Sequence, residues 1–458
     1  MTFPLFDHQK KSVDFMRTHE RVLDASDPGT GKTRVQIELF AERRRNGGGC
    51  ALVIAPKSLL RSAWENDFAK FAPHITVSVA QAKGRAQAFA RPADVYVTNV
   101  DATKWLMEQR PEFFARFDTL IMDELSAFKH HTSLRSKALN KIKSHFKYRY
   151  GLTGTPNSNG ITDIWNQIYI LDDGRRLGKS FYKFRSMTQT PSQAGPAANM
   201  LKWEDKPGAE QAVGELIKDM TVRHKFEECL DVPENFETEV PFFMPPGQAT
   251  VYKTFKRDAL LALESGEVIS SVNAAGVANK LLQIASGATY TGDANKYAVV
   301  DPSRYEMIAD LVEARQHSVV FFHWRHQRDL LMEEFTKRGI TFAVIDGSVK
   351  EQDRMEAVKD YQNGFYRVML AHPASAAHGL TLTRGTTTIW ASPTYNLEHW
   401  LQGNRRTYRA GQTQRTETIS ILAKGTIEEL VYQRLADKNV KQINILELLN
   451  SAFKQVTP

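Results

Sequence analysis

Cysteine is almost missing from this chain: Cys50 and Cys229 are the only two in 458 residues, and neither belongs to a CxxC pair or lies beside a histidine at metal-ligand spacing. A disulfide framework and a thiolate zinc site are therefore excluded. No run of about 18 apolar residues occurs, so a membrane-spanning helix is not expected. Met1 to Gln9 lacks a basic stretch followed by an apolar one, which argues against a secretory leader and for a reducing, cytoplasmic setting. Solenoid-length repeats, long low-complexity tracts and a tail of single-sign charge are absent as well.

What is present is an ordinary globular composition, 42% hydrophobic and 24% charged, in a chain too long for one compact core. Two or three units follow. The formal charge of +8 is spread over many Lys and Arg and tilts the chain towards polyanionic partners. Short apolar runs alternate with amphipathic stretches in both halves, a pattern of parallel sheets covered by helices. The first half offers Ala51 to Ala55, Asp94 to Thr98, Thr119 to Met122 and Tyr148 to Leu152 as strands. The second offers Ser318 to His323, Thr341 to Ile345, Arg367 to Ala371, Thr387 to Ala391 and Thr418 to Leu422. Between the sets, residues 171 to 301 are richer in Gly and Pro, with PSQAGPAAN (191 to 199) reading as a surface loop and MPPG (244 to 247) as a linker.

The chemistry begins after the short apolar run Arg21 to Leu23, where Ser26-Asp27-Pro28-Gly29-Thr30-Gly31-Lys32-Thr33 opens a helical stretch, Val35 to Arg43. This is a phosphate-binding loop in its strand-loop-helix setting. Gly29, Thr30 and Gly31 let backbone N–H groups approach phosphate oxygens, Lys32 offers a point charge to the β and γ phosphates, and Thr33 offers a hydroxyl to Mg2+. Ser26 stands where the usual pattern has its first glycine. Downstream, the buried strand Thr119 to Met122 ends in Asp123 and Glu124, one carboxylate for Mg2+ and one to polarise the attacking water. Asp123 is the metal candidate and Glu124 the water-activating one. Near the C-terminal end, Arg406 and Arg409 lie three apart in QGNRRTYRAGQ (402 to 412), where a helix would set both on one face as candidate arginine fingers.

The ordered set Gln9, SDPGTGKT, APKS (55 to 58), DELS (123 to 126), LTGTP (152 to 156), HGLTL (378 to 382) and QGNRRTYRAGQ resembles the superfamily 2 helicases of the SNF2-like group, over nearly the whole chain. DELSAFKH, TVRHKFEECLDVPE (221 to 234), the Gln248 and Tyr252 spacing and GTIEELVYQRLADK (425 to 438) resemble group-specific segments. Ser126 stands where the group usually has His. The resemblance implies an α/β fold of two RecA-like lobes with parallel sheets and helical insertions between them. The first lobe would span 1 to 240 with an insertion from about 171, and the second 241 to 458 with an insertion at about 248 to 300 and a C-terminal helix. It implies that ATP is hydrolysed between the lobes with Mg2+, that Gln9 reads the adenine, and that Gly379 and Gln402 line the ATP cleft. Thr153 and Thr155 would couple nucleotide state to DNA grip. Lys57, Ser58, Thr98, Asn99, Gly347 and Ser348 would touch the DNA backbone, largely without regard to sequence. The expected protein is a monomeric, prokaryotic or bacteriophage DNA translocase that remodels forks or branched junctions. Two alternatives stay open: an RNA-directed helicase of the same superfamily, and a nucleic-acid-binding scaffold without turnover.

Overall fold

The computed structural model describes residues 4–154, 156, 160–193, 201–229, 232–264, 271–291, 296–376 and 380–436. The chain divides into two units, Met1–Asp231 and Val232–Pro458. Among the described residues no helix is long and apolar enough to cross a membrane.

In the first unit the strands are β1 (Arg21–Asp24), β2 (Cys50–Ala55), β3 (Val77–Ala80), β4 (Val95–Asn99), β5 (Phe117–Asp123) and β6 (Tyr148–Leu152). After them come a hairpin of β7 (Gln189–Gln193) and β8 (Leu201–Asp205), then the two-residue β9 (Thr221–Val222). The main sheet runs β3-β4-β2-β5-β6-β1-β9, and its pairings are parallel. Near-continuous apolar strands such as CALVIA in β2 are what a parallel sheet covered on both faces requires. Leu52 and Ile54 enter one core, with Phe117, Leu120 and Ile168. Ala51, Val53 and Ala55 enter the opposite one, with Trp64, Phe68 and Phe40.

The second unit holds β10 (Asn235–Phe242), a hairpin of β11 (Ala288–Tyr290) and β12 (Tyr297–Val299), then β13 (Ser318–Phe321), β14 (Phe342–Ile345), β15 (Val368–Ala371), β16 (Thr387–Trp390) and β17 (Thr416–Ala423). Its sheet is also parallel, in the order β10-β17-β16-β13-β15-β14. Val320 and Val319 of β13 enter separate cores on its two faces. The structure thus has the two parallel-sheet α/β lobes that the motif series implied.

Three local expectations change. The strand β10, placed by the sequence in the first lobe, pairs along its whole length with β17 and is an edge strand of the second sheet. The insertion after residue 171 is not purely helical, because Pro191, Ser192 and Gln193 of the expected loop lie in β7, paired with β8; residues 194–199 fall outside the described ones. The expected linker at 244–247 already contains the start of the helix Pro246–Glu264, since proline's fixed φ and missing N–H suit a first helical turn.

Two buried polar arrangements hold the second unit. Arg304 and Glu428, both with fully buried side chains, meet in a bidentate pair at 2.8 and 2.6 Å, and Glu428 also accepts the Ala423 N–H at 2.7 Å. His326 Nε2 lies 3.1 Å from Ser286 Oγ, its ring enclosed by Trp324, Tyr290 and Tyr297. Burial holds both His326 and the neighbouring His323 down to about 4.

Removing one partner of a buried pair leaves an uncompensated charge, so Glu428→Gln should lower unfolding stability by about 3–5 kcal/mol. The double change Arg304→Met with Glu428→Leu should lose less than the single one in denaturant titrations. Below pH 6.5 an unfolded chain binds protons that buried His323 and His326 refuse until about pH 4. Stability should therefore fall as pH drops through that window, and His326→Asn should flatten the fall in melting-temperature series while leaving the plateau above pH 7 in place.

Candidate functional site

Because the strands of the first sheet run one way, the loops leaving their C-terminal ends gather along one edge, where ligands bind in open α/β sheets. Strand order then sorts the candidates. Ser26 to Gly31 follows β1, Thr153 follows β6, and Asp123 ends β5, three adjacent strands. Lys57 and Ser58 follow β2, and Thr98 and Asn99 end β4, on the other half of the sheet.

The phosphate loop is built almost wholly from backbone. Gly29 and Gly31 have φ of +87° and +86°, the left-handed region that favours glycine, and Gly31 caps the helix Lys32–Arg45. Lys32 Nζ folds over the loop and donates to Ser26 O at 2.6 Å and Asp27 O at 3.1 Å. Thr30 Oγ1 donates to Asp27 O at 2.8 Å. A strut from the end of the same unit secures the loop. Ala25 N donates to Val222 O at 2.8 Å, Asp27 N to His224 O at 3.0 Å, His224 N to Ser26 Oγ at 3.1 Å and Phe226 N to Asp27 Oδ2 at 3.0 Å. The departure at Ser26 thereby has a physical reason: a glycine would leave the His224 N–H without that acceptor.

Gln9 lies on the same loop. Its Nε2 donates to Thr30 O at 3.1 Å, its Oε1 accepts the Phe6 N–H at 3.1 Å, and His8 Nε2 sits 2.8 Å from Thr30 O. The packing is close enough that a Cβ on Gly31 would come within 2.2 Å of Gln9 Nε2.

Asp123 is half-buried at the end of β5 and accepts the Trp64 Nε1 hydrogen on Oδ2 at 2.9 Å. Burial pushes its carboxyl above the usual carboxylate range, with the indole N–H and the Lys32 charge pulling the other way. Glu124 has φ +57° and ψ +60°, a left-handed conformation costly for a side-chain-bearing residue and concentrated at functional sites. Asp123 and Thr33 are hard oxygen donors of the kind Mg2+ takes alongside nucleotide oxygens. Among the described residues no three His, Cys, Asp or Glu form a metal cluster, so a cation here would draw on these two and the phosphates. The residues fit the ion on that donor chemistry.

Behind the carboxylates lies a clamp that the sequence did not disclose. Phe128 O accepts Ser136 Oγ at 3.0 Å and Asn166 Nδ2 at 2.5 Å, Lys129 pairs with Asp163 at 3.2 Å, and Gln167 Nε2 donates to Pro156 O at 2.5 Å. The helix Asp163–Asp172 thus holds both the segment after Glu124 and the segment after Thr153. Thr153 is buried and continues the β6 ladder through its N–H to Asp24 O at 3.0 Å. Thr155 lies outside the described residues.

The backbone-contact candidates divide by exposure. Lys57 is exposed and Ser58 half-buried. Thr98 is fully buried and its hydroxyl donates to Ala80 O at 2.7 Å, so that side chain ties β4 to β3 instead of facing outward. Asn99 Oδ1 accepts from Arg85 at 2.9 Å. Gly347 and Ser348 are exposed, with Ser348 Oγ and N both on Asp346 Oδ1 at 2.5 and 2.8 Å.

In the second unit Arg406 and Arg409 converge, though not along a helix. The helix Leu397–Asn404 ends before them, and the turns that follow bring both guanidiniums to Leu380 O, at 3.1 and 2.9 Å. Gln412, also outside the predicted set, fixes that turn: its Nε2 donates to Thr383 O, Gly385 O and Thr407 O at 3.0 to 3.2 Å, and its Oε1 accepts the Thr413 and Gln414 N–H groups. Gln402 Nε2 donates to Glu398 at 3.0 Å; Gly379 is outside the described residues.

The SNF2-related domain matches residues 8–286, more than half of the chain, and the Helicase conserved C-terminal domain matches 303–411. The chain belongs to the SNF2-related family. It is 28% identical to protein p41 of Acyrthosiphon pisum secondary endosymbiont phage 1, over 92% of this chain and 93% of that protein. It is 24% identical to the mouse Chromodomain-helicase-DNA-binding protein 1-like over 90% of this chain, and to the Saccharomyces cerevisiae Transcription regulatory protein SNF2 over 95%. Of those two proteins it spans only 46% and 27%. The Sulfolobus solfataricus SWI2/SNF2 ATPase core solved with dsDNA aligns over all of this chain and 96% of that one, at 22% identity and a TM-score of 0.45. The SNF2-related chain is thus an ATP-dependent helicase or translocase core.

Gly31→Ala should abolish binding of a fluorescent ATP analogue, since the added methyl meets Gln9 and the backbone is left-handed. Gly47→Ala has the same backbone strain at φ +84° but open space around it, so it should lower stability by roughly 1–2 kcal/mol and leave nucleotide affinity unchanged. Equal affinities in the two variants would show that the loop around Gly31 does not seat the nucleotide.

Proposed function

We propose that this SNF2-family chain is a DNA-dependent ATPase that translocates on duplex DNA and remodels forks or branched junctions. The observation that carries the proposal is the strand order that sets Lys32, Thr33, Asp123 and Glu124 at one edge of the first sheet, beside a loop whose Gly29 and Gly31 take the left-handed backbone. In this reading the loop N–H groups and Lys32 hold the β and γ phosphates; Thr33 and Asp123 would hold Mg2+, which would supply charge neutralisation at the phosphate oxygens. Glu124 orients the attacking water. Arg406 and Arg409 supply positive charge to the γ-phosphate, exchanging their bonds to Leu380 O for it. Gln9 selects adenine by exchanging its present partners, Thr30 O and Phe6 N, for the base. Lys57, Ser58, Asn99, Gly347 and Ser348 face DNA phosphates, with Thr98 acting through the shape of β4, and Thr153 and Thr155 relay nucleotide state to that grip.

Support for DNA as the polymer comes from the family and from the net charge of +8. The test is the ATPase rate with blunt duplex, single strand, fork, four-way junction and RNA. Duplex and branched DNA should stimulate most, with affinity falling as salt rises. Lys32→Ala and Glu124→Gln should lower kcat by about 100-fold or more, Glu124→Gln without loss of nucleotide binding. Stimulation by RNA alone would favour an RNA-directed helicase, and indifference to both substitutions would leave a scaffold.

A further inference from the structure

Trp64 is a fully buried side chain on the π-helical turn Leu60–Glu65, which starts two residues after Ser58. Such turns are rare and cluster at functional sites. Its ring lies in the core that includes Val53, Ala55, Leu60 and Phe68, an ordinary place for an indole. Its single polar atom is placed less ordinarily. Nε1 carries one hydrogen and cannot accept, and that hydrogen goes to Asp123 Oδ2 at 2.9 Å.

The strand order gives the contact its meaning. β2 and β5 are neighbours at the seam between the half of the sheet that carries the exposed Lys57 and the half that carries Asp123. A hydrogen bond from the segment after β2 to the end of β5 crosses that seam. It holds one oxygen of the Asp123 carboxylate, and one helical turn, Leu60–Glu65, separates the Lys57–Ser58 loop from the indole that makes the bond.

We propose that Trp64 is a positioning residue that orients the metal-binding carboxylate of Asp123 and couples it to nucleic-acid contact at the Lys57–Ser58 loop. This rests on the ATPase reading above. Partners that orient metal ligands typically change metal affinity by about 10–100-fold when lost.

The test replaces Trp64 with benzothienylalanine, which keeps the ring shape and puts sulfur in place of the N–H, alongside Trp64→Phe. Mn2+ binding to the full-length protein with ADP is followed by electron paramagnetic resonance, with and without a blunt DNA duplex. Melting temperature and metal-free ADP affinity serve as controls. The isostere should weaken Mn2+ binding about 10-fold with both controls unchanged. Duplex should shift Mn2+ affinity in the wild type and not in the isostere. An unchanged Mn2+ titration in the isostere, or a wild type whose Mn2+ affinity ignores duplex, overturns this inference and leaves the ATPase reading intact. A wild type without any ADP-dependent Mn2+ site, or one that Asp123→Ala leaves unaltered, overturns both.

Discussion

The shared direction of seven strands decides where chemistry can occur in the first unit. A parallel pair needs a crossover through a covering element, and that crossover keeps one hand, so each strand delivers its following loop to the same edge. Residues as far apart in sequence as Lys32, Asp123 and Thr153 become neighbours by this rule, because β1, β6 and β5 lie side by side. The phosphate loop adds a second constraint. Its glycines are left-handed and its first residues are bonded to the strut at 222–226, so the loop depends on a segment about 200 residues downstream for its shape.

Much of this was legible in the sequence because the groups concerned are chemically irreplaceable. A loop proposed to present N–H groups to phosphate calls for Gly29 and Gly31, whose backbone is left-handed, and a site proposed to hold a cation and a water calls for carboxylates such as Asp123 and Glu124 at a strand end. Apolar runs marked ten of the thirteen main-sheet strands among the described residues, whose observed bounds differ from the predicted ones by at most two residues. Polar edges left no such trace. β10 is largely exposed and carries the pattern NFETEVPF, which reads as surface; only its ladder to β17 makes it a strand. β9 is two residues long, shorter than any period can register.

Side chains that act through hydrogen bonds to backbone were the least legible. Gln412 ties together three carbonyls and two N–H groups, yet a glutamine at the end of an Arg-rich segment has many possible uses. Asn166 and Gln167 sit in DIWNQ, which carries no spacing of its own; their partners Phe128 O and Pro156 O are main-chain atoms that any residue would supply. Trp64 is core by area, and a single N–H among nine indole ring atoms makes its contact with Asp123. The helix expected to set the two arginines on one face ends before them, and turns bring both to Leu380 O instead.

Two carboxylates show how the same physical problem is settled differently for structure and for turnover. Glu428 is fully buried and fully answered: a guanidinium takes both oxygens, a backbone N–H adds a third bond, and the charge is locked in place. Asp123 is answered only in part. It has the indole N–H, the Glu124 backbone N–H and the field of a lysine whose own hydrogen bonds go to Ser26 O and Asp27 O, and these do not offset the burial that pushes its carboxyl upward. A guanidinium at that position would stabilise the fold and block the cation, because an ion that must arrive and leave with each nucleotide needs a ligand whose charge the protein has not already neutralised. On the proposed reading, the incomplete compensation of Asp123 suits a site that exchanges its cation, while the complete compensation of Glu428 ties helix to sheet permanently.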